Sequence, residues 1–372
     1  MAMKIVQQDE RAILSGHKDF PMFSVIMPIY NGERYLEQAI ISVMTQTEDA
    51  WELILINDGS IDSSPDICRK YAAMDSRIIL IEKEKSGVSD SRNKGLDIAK
   101  GEWIVFLDAD DWFEINLLYE FKKRIVQSSF DFYVCNYFDV FGEKEKKCAR
   151  GFTIDRIEKI LFSELAEMSL RQSQWKNKAW YGGFRSVWAK CFKREYIKKN
   201  NLRFFPQLKI GEDMVFVLEY MKYIENVEFI NGPLYNYRDN PISVMHKRVW
   251  SGNEEGKLYF SKAEEIVGNI VGEGAKADLW LETAEYDWKV LTISNICFLQ
   301  KITILRELMQ DELYVRFSKK DAYKYSSIKQ MIYAGLIRRK AALSLMMLNN
   351  CYLKKKSIKR WIDKAQCNIH NI

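Results

Sequence analysis

The chain has 372 residues, 47% hydrophobic and 29% charged; that length exceeds one small domain, and that balance excludes disorder of the bulk. Its 56 basic against 51 acidic side chains leave a net charge of +5, too mild for a general nucleic-acid binder, so no nucleic-acid partner is expected. Six prolines and 18 glycines argue against collagen-like or linker-rich designs.

Residues 1–20 form a mixed, charged N-terminal tail without the apolar core of a signal peptide. From Phe23 to about Tyr137, short apolar runs alternate with helical patterns. The runs are Phe23–Met27, Glu52–Ile56, Ile78–Ile81, Trp103–Leu107 and Asp131–Cys135. Runs this apolar read as strands covered on both faces, the habit of parallel sheets. Between them, Arg34–Met44 carries Leu36, Ala39, Ile40 and Val43 at helical offsets. Ser64 and Pro65 suit an N-cap and N1 pair opening a helix toward Met74. Ser89–Ala99 reads as a third helix, with Gly101 as its C-cap. The alternation predicts an α/β, doubly wound, mostly parallel (Rossmann-like) sheet, in which ligands bind beyond the carboxyl ends of the strands. Pro28-Ile29-Tyr30-Asn31, Asn57-Asp58-Gly59-Ser60 and Asp108-Ala109-Asp110-Asp111 all fall there.

The middle, to about Tyr237, mixes helices with aromatic loops, where Trp175, Trp180, Tyr181, Phe184 and Trp188 crowd around Gly182-Gly183. From Val249 onward helical periodicity dominates, with amphipathic helices expected over 275–308 and 322–348. The tail segment 354–364 carries six basic residues and one acidic one. No apolar run approaches the ~18 residues needed to span a bilayer. The seven cysteines (Cys68, Cys135, Cys148, Cys191, Cys297, Cys351, Cys367) include no C-x-x-C pair. A disulfide scaffold or zinc ribbon is therefore not expected, and a reducing, cytoplasmic setting is.

Asp108 and Asp110 stand at i and i+2 after an apolar strand. Two such carboxylates repel unless a cation lies between or beside them, and Mg²⁺ or Mn²⁺ commonly shares its shell with substrate phosphates; an acidic turn solvating a strand end is the equally weighted reading. Asp58 suits hydrogen bonding to a nucleobase N–H or a ribose hydroxyl, with Gly59 permitting close backbone approach, or else a plain Asp-Gly turn. Ser89–Leu96 opens a helix whose amides, with Arg92, would favour a diphosphate, or is a capped surface helix. Glu212-Asp213 suits the first turn of a helix electrostatically, or supplies a general base. Among His17, His246 and His370, only His246 lies near other suggestive residues.

Taken in order, Val25–Asn31, Asn57–Ser60, Gly87–Gly95, Asp108–Asp111 and Gly211–Asp213 resemble the family 2 glycosyltransferases of the GT-A fold. The resemblance covers about residues 22–245, so the expected division is a catalytic domain at 21–245 and a helical region at 246–372. It implies an inverting, hexosyltransferase-type enzyme moving a sugar from a nucleotide-sugar donor, usually a UDP-sugar, to a glycan or lipid-linked glycan acceptor in cell-surface polysaccharide synthesis. By resemblance, Pro28, Tyr30 and Glu33 belong to the first nucleotide loop, and Asp58 reads the base. Arg92 and Asn93 match the Arg-Asn pair near the nucleotide. Asp108, Ala109 and Asp110 form the DxD motif, with Asp110 toward a Mn²⁺ or Mg²⁺ cofactor. Asp213 is the base, and Arg238, Ser243 and His246 close over the diphosphate, His246 also as a metal ligand. Asn57 stands where the family often has Asp, Ser91 where Ala is usual, and Lys85 where Asn is frequent. The acids at 58, 108, 110 and 213 are expected to converge on one cleft.

A sugar nucleotidyltransferase would want a Gly-rich basic loop after the first strand, where this chain has one glycine and an acid. A non-catalytic nucleotide-sugar-binding scaffold would be favoured by loss of Asp110 or Asp213, and both are present. The helical region has three roles open to it: packing on the catalytic domain, forming a homodimer, or contacting the inner membrane face through Trp361 and its lysines.

Overall fold

The computed structural model describes residues 21–142, 145–151, 156–157, 159–170, 184–240, 252–318 and 328–348. Ser243, His246, Trp175, Trp180, Tyr181 and the basic tail lie outside the described residues. Two compact units emerge, one reaching to residue 128 and including 191–200, the other made of 129–190 and the residues from 201 onward.

In the first unit, β1 (Phe23–Ile29), α1 (Glu33–Met44), β2 (Trp51–Asp58), α2 (Ser64–Met74), β3 (Ile78–Lys83), α3 (Val88–Ile98) and β4 (Trp103–Phe106) alternate as the sequence predicts. They are followed by the two-residue β5 (Trp112–Phe113) and α4 (Leu117–Gln127). Strand β1 pairs in parallel with β2 and with β4, and β2 with β3. The returning segment Cys191–Lys193 lies antiparallel on β4. This is a mixed, mostly parallel sheet. Each parallel step needs a crossover, and the helices supply it. All eight residues of β2 and all four of β4 are buried, which accounts for the apolar runs Leu53–Ile56 and Trp103–Phe106. Fully burying each such aliphatic or aromatic side chain stabilises by about 1.5–3 kcal/mol.

Gly101 does not cap a helix. Helix α3 stops at Ile98, and the N–H of Ala99 closes it on the carbonyl of Gly95. Gly101 instead donates to Ser24 Oγ at 2.8 Å and to the buried Glu52 carboxylate at 3.3 Å. A Cβ there would meet the Ser24 amide nitrogen at 2.5 Å, so close backbone approach is what fixes glycine at this position.

In the second unit, β6 (Phe132–Phe141) carries β7 (Lys146–Arg150) antiparallel. Next come β8 (Arg156–Ile157) and α5 (Phe162–Leu170). Strand β9 (Lys190–Lys193) leads out into α6 (Arg194–Lys199). Then follow α7 (Glu212–Met221) and β10 (Val227–Arg238), which runs parallel to β6 and antiparallel to β8. The remaining helices are α8 (Glu254–Val267), α9 (Glu273–Ile293), α10 (Phe298–Leu308), α11 (Glu312–Ser318) and α12 (Ile328–Arg338). They share a core with α5 and α7 in which Met214, Val215 and Leu218 join Phe260, Trp280, Trp288, Tyr314 and Tyr333. Trp288 Nε1 donates to Tyr314 Oη at 3.1 Å, which satisfies a polar tip inside that core.

The helix expected over 275–308 is two helices. Lys301, on α10, donates to the carbonyls of Thr292 and Ser294 at 2.8 and 2.7 Å, and so takes up acceptors that a helix end leaves orphaned. The helix expected over 322–348 likewise breaks after α12, where Lys340 adopts φ 50°, and resumes at 342–348. Cys68, Cys135 and Cys191 are buried free thiols and Cys297 an exposed one. Cys148 is disulfide-bonded, which the cysteine spacing did not anticipate. Among the described residues, no helix is long and apolar enough to cross a membrane.

Helix α7 is preceded by Gly211 at its N-cap, whose φ of +72° puts it in the left-handed region. A Cβ on it would lie 2.2 Å from the Tyr259 ring. Gly211→Ala combines a left-handed penalty of about 1–2 kcal/mol with overpacking of about 1–3 kcal/mol. It is expected to lower unfolding free energy by roughly 2–5 kcal/mol in a urea titration. A midpoint equal to that of the unsubstituted chain would show that the backbone leaves the left-handed region and that Tyr259 yields freely.

Candidate active site

The ends of β1 and β2 in the first unit are knitted together. Asn31 N–H donates to Ser60 Oγ at 3.0 Å, and Ile61 N–H returns to Asn31 Oδ1 at 2.9 Å. Gly32 N–H donates to Ser64 Oγ at 2.9 Å and Glu33 N–H to Asp62 Oδ2 at 3.0 Å. Ser63 N–H reaches Glu33 Oε2 at 2.9 Å, while Ser64 N–H takes Asp62 Oδ1 at 3.0 Å. The amides of Gly32, Glu33 and Ser63 at the starts of α1 and α2 are therefore satisfied reciprocally by side chains from the opposite loop, and that of Ser64 by Asp62 of its own. Glu33, expected at a nucleotide, here clasps the α2 terminus. Asp62, which sequence reasoning passed over, clasps α1. Burial would raise the Asp62 carboxyl, but the bonds from Ser64 and Glu33 outweigh it and hold the group below the ordinary carboxylate range.

Asp58 closes β2 and is 3% exposed. It accepts from Ser86 N–H and Gly87 N–H, each at 2.8 Å, and from Lys83 Nζ. Burial raises this carboxyl, and the bonds from Lys83, Ser86 and Gly87 more than reverse that, leaving it lowered. A carboxylate offers about four acceptor positions. Ser86 and Lys83 meet Oδ1, and Gly87 meets Oδ2, so Oδ2 keeps a position for an incoming N–H. Lys83 also bridges to Asp90 at 3.0 Å. Lys83 escaped the sequence reading because its partnership is set by strand register: Asp58 and Lys83 stand opposite each other on β2 and β3.

Tyr30 is 41% exposed. The Lys85 ammonium lies 3.9 Å from its ring centroid, within cation–π range. Lys85, noted in the sequence for standing in place of Asn, is thus stacked on a residue of the expected nucleotide loop. Pro28 is half-buried beside them in sequence, at the end of β1.

Arg92, on the second turn of α3, is 3% exposed and meets Asp108 Oδ1 through Nη2 at 3.0 Å. A buried guanidinium needs such a partner. Asp108, Ala109 and Asp110 are half-buried, Asp111 is buried, and the Asp111 N–H folds back on the Asp108 carbonyl at 3.1 Å. Asn93 is half-buried on α3. The structure thus brings Arg92 to the DxD turn. Among the described residues, no three His, Cys, Asp or Glu side chains cluster as a metal site.

In the second unit, Asp213 is the second residue of α7 and half-buried, and its Oδ2 accepts from Val187 N–H at 3.3 Å. The first-turn position favours its charge. Arg238 ends β10, is 9% exposed and pairs with Glu145 at 3.0 Å. Of the aromatic cluster, Phe184 is buried against Phe229. Trp188 stacks on Tyr235 and Tyr237 with ring centroids 5.1 Å apart in both cases.

A mixed, mostly parallel sheet with acidic and basic side chains at its strand ends, plus a helical C-terminal part, is the architecture of the GT-A class. The profile of "Glycosyl transferase family 2" matches residues 24–199. EpsH of Bacillus subtilis (strain 168), which bears the name of a glycosyltransferase, is 30% identical over 285 residues, covering 76% of this chain and 77% of that protein. The minor teichoic acid biosynthesis protein GgaB of the same organism is 28% identical over 341 residues, 82% of this chain but 35% of that longer protein. S. aureus TarS 1-349 in complex with UDP-GlcNAc shares the fold with a TM-score of 0.63 and 19% identity, over 90% of this chain and 92% of that one. The chain belongs to glycosyltransferase family 2. It is a glycosyltransferase, which sets aside the nucleotidyltransferase and the non-catalytic scaffold.

Proposed function

We propose that the chain transfers a sugar from a UDP-sugar to a hydroxyl of a glycan or lipid-linked glycan acceptor, with inversion, in cell-surface polysaccharide synthesis. The observation that carries the donor half is Asp58: an ionised, buried carboxylate whose Oδ2 retains an acceptor position, as a uracil N–H requires. The UDP-GlcNAc in the TarS complex and the teichoic acid role in the name of GgaB support the donor and the pathway class.

Tyr30 and Pro28 flank the base, and Asn93 and the Arg92–Asp108 pair position the ribose and diphosphate. Arg238 and Ser243 close over the diphosphate, while Glu33 acts through the loop it clasps. Asp108 and Asp110 offer half-buried oxygen donors only, one of them shared with Arg92. That set suits a hard cation that keeps waters and takes substrate phosphate oxygens. Asp110, with Asp108 beside it and His246 as a further ligand, would hold Mn²⁺ or Mg²⁺. A cation held there would supply neutralising charge for the departing diphosphate. Asp213 removes the proton from the acceptor hydroxyl as that oxygen attacks the anomeric carbon, and one displacement inverts the centre.

The test is UDP release from a panel of UDP-sugars with acceptor extract, alongside thermal shift, since a ligand stabilises the fold it binds. EDTA is expected to abolish release and Mn²⁺ or Mg²⁺ to restore it; full turnover in EDTA would remove the metal from the scheme. We keep residues 21–245 as the catalytic segment and a cytoplasmic location, with the 354–364 segment against anionic lipid at the inner membrane face. Unchanged liposome binding after deletion of 350–372 would exclude the lipid contact.

A further inference from the structure

The scheme above leaves the most deeply buried lysine of the described residues unused. Lys190 is 1% exposed. Its Nζ donates to Ser186 Oγ and to the Trp188 carbonyl, both at 3.2 Å. The same turn gives the Val187 N–H to Asp213 Oδ2 at 3.3 Å. The ammonium therefore holds residues 186 and 188 of the turn, and the candidate base holds the amide of Val187 between them. The turn is held in shape besides. Ala189 sits at φ 55°, its carbonyl accepts from Cys135 N–H at 3.0 Å, and Trp188 packs edge-on to Tyr137 with centroids 4.8 Å apart.

The charged and titratable groups that face Lys190 are Cys135 from β6 and Asp213 from α7. Burial pushes the Cys135 thiol up to about 12, so it carries no charge near neutrality. That leaves Asp213 as the anion acting on the ammonium. Burial drags Lys190 down to about 7, with Asp213 pulling the other way. A buried ammonium is costly unless it interacts with an opposite charge.

We propose that Lys190 is a positioning residue of the transfer reaction: its charge, seated in the 186–189 turn, keeps the Asp213 carboxylate ionised and aimed. This rests on Asp213 being the base. Because the ammonium favours the ionised carboxylate, its removal lets Asp213 take up a proton at higher pH.

Lys190→Gln keeps donors for Ser186 and the Trp188 carbonyl and removes the charge. The acid limb of its kcat/KM profile is expected to move to higher pH, by up to the roughly 1–3 units that a close opposite charge gives. Lys190→Arg is expected to leave the limb at its wild-type position. An unshifted limb in Lys190→Gln, whatever its rate, overturns the proposal, because a merely structural role lowers the rate at every pH alike. Should Lys190→Gln fail to fold, ¹⁵N-lysine NMR of the full chain decides, with Lys190 assigned by the resonance lost in Lys190→Arg. Coupling between two sites is reciprocal, so Asp213→Asn is expected to lower the Lys190 titration midpoint, and an unmoved midpoint overturns the proposal. The NMR reads the coupling without turnover. Failure of the base assignment shows instead as turnover retained in Asp213→Asn, so the two failures are distinguishable.

Discussion

Asp213→Asn is expected to fold, to bind UDP with wild-type affinity, and to lose turnover by roughly 10²- to 10⁴-fold, the range spanned by general-base catalysis. Asparagine is isosteric, and its Oδ1 can still accept the Val187 N–H that meets Asp213 at 3.3 Å. What disappears is the ability to take a proton, plus a helix-dipole contribution of about 0.3–1 kcal/mol. Calorimetric UDP binding and steady-state kinetics separate these effects. Wild-type kcat in the variant would end the assignment; lost UDP affinity would move Asp213 into the donor site.

The second large effect is expected at Asp58. If its remaining acceptor position takes the uracil N–H, Asp58→Asn removes a hydrogen bond to a charged group. Such bonds contribute about 1.5–3 kcal/mol, or roughly 10- to 150-fold in UDP affinity. The substitution also presents an amide donor where a carboxylate stood. Cytosine carries an acceptor at the ring position where uracil carries N–H, so the preference for UDP over CDP should shrink along with the affinity. Competition of the two nucleotides in a thermal-shift assay reads both quantities. Equal loss for UDP and CDP would mean that Asp58 serves the 84–87 loop alone, through Ser86 and Gly87.

Much of the first unit was legible because burial on both faces leaves apolar runs, Trp103–Phe106 and Leu53–Ile56, that read as strands in sequence and in space. The acids at 58, 108 and 110 were legible as candidates because they end those strands. Partnerships set by register or by backbone approach were hidden. Lys83 meets Asp58 because β3 runs in a particular register beside β2, and Gly101 looked like a helix cap until its contact with Ser24 was visible. The break between α9 and α10 escaped because a lysine side chain, Lys301, closes it where a glycine or proline would have announced it. Lys190 escaped because nothing local marks a buried ammonium inside an apolar strand segment.

The reciprocal bonding of 31–33 with 60–64 bears on how this chain can diverge. Each loop holds the other's helix terminus, so neither segment is a free module. A chimera importing one from a relative would strand Asp62 or Glu33 opposite a foreign backbone. The two stretches are therefore heritable as a pair, and any drift in donor choice that runs through them has to change both at once.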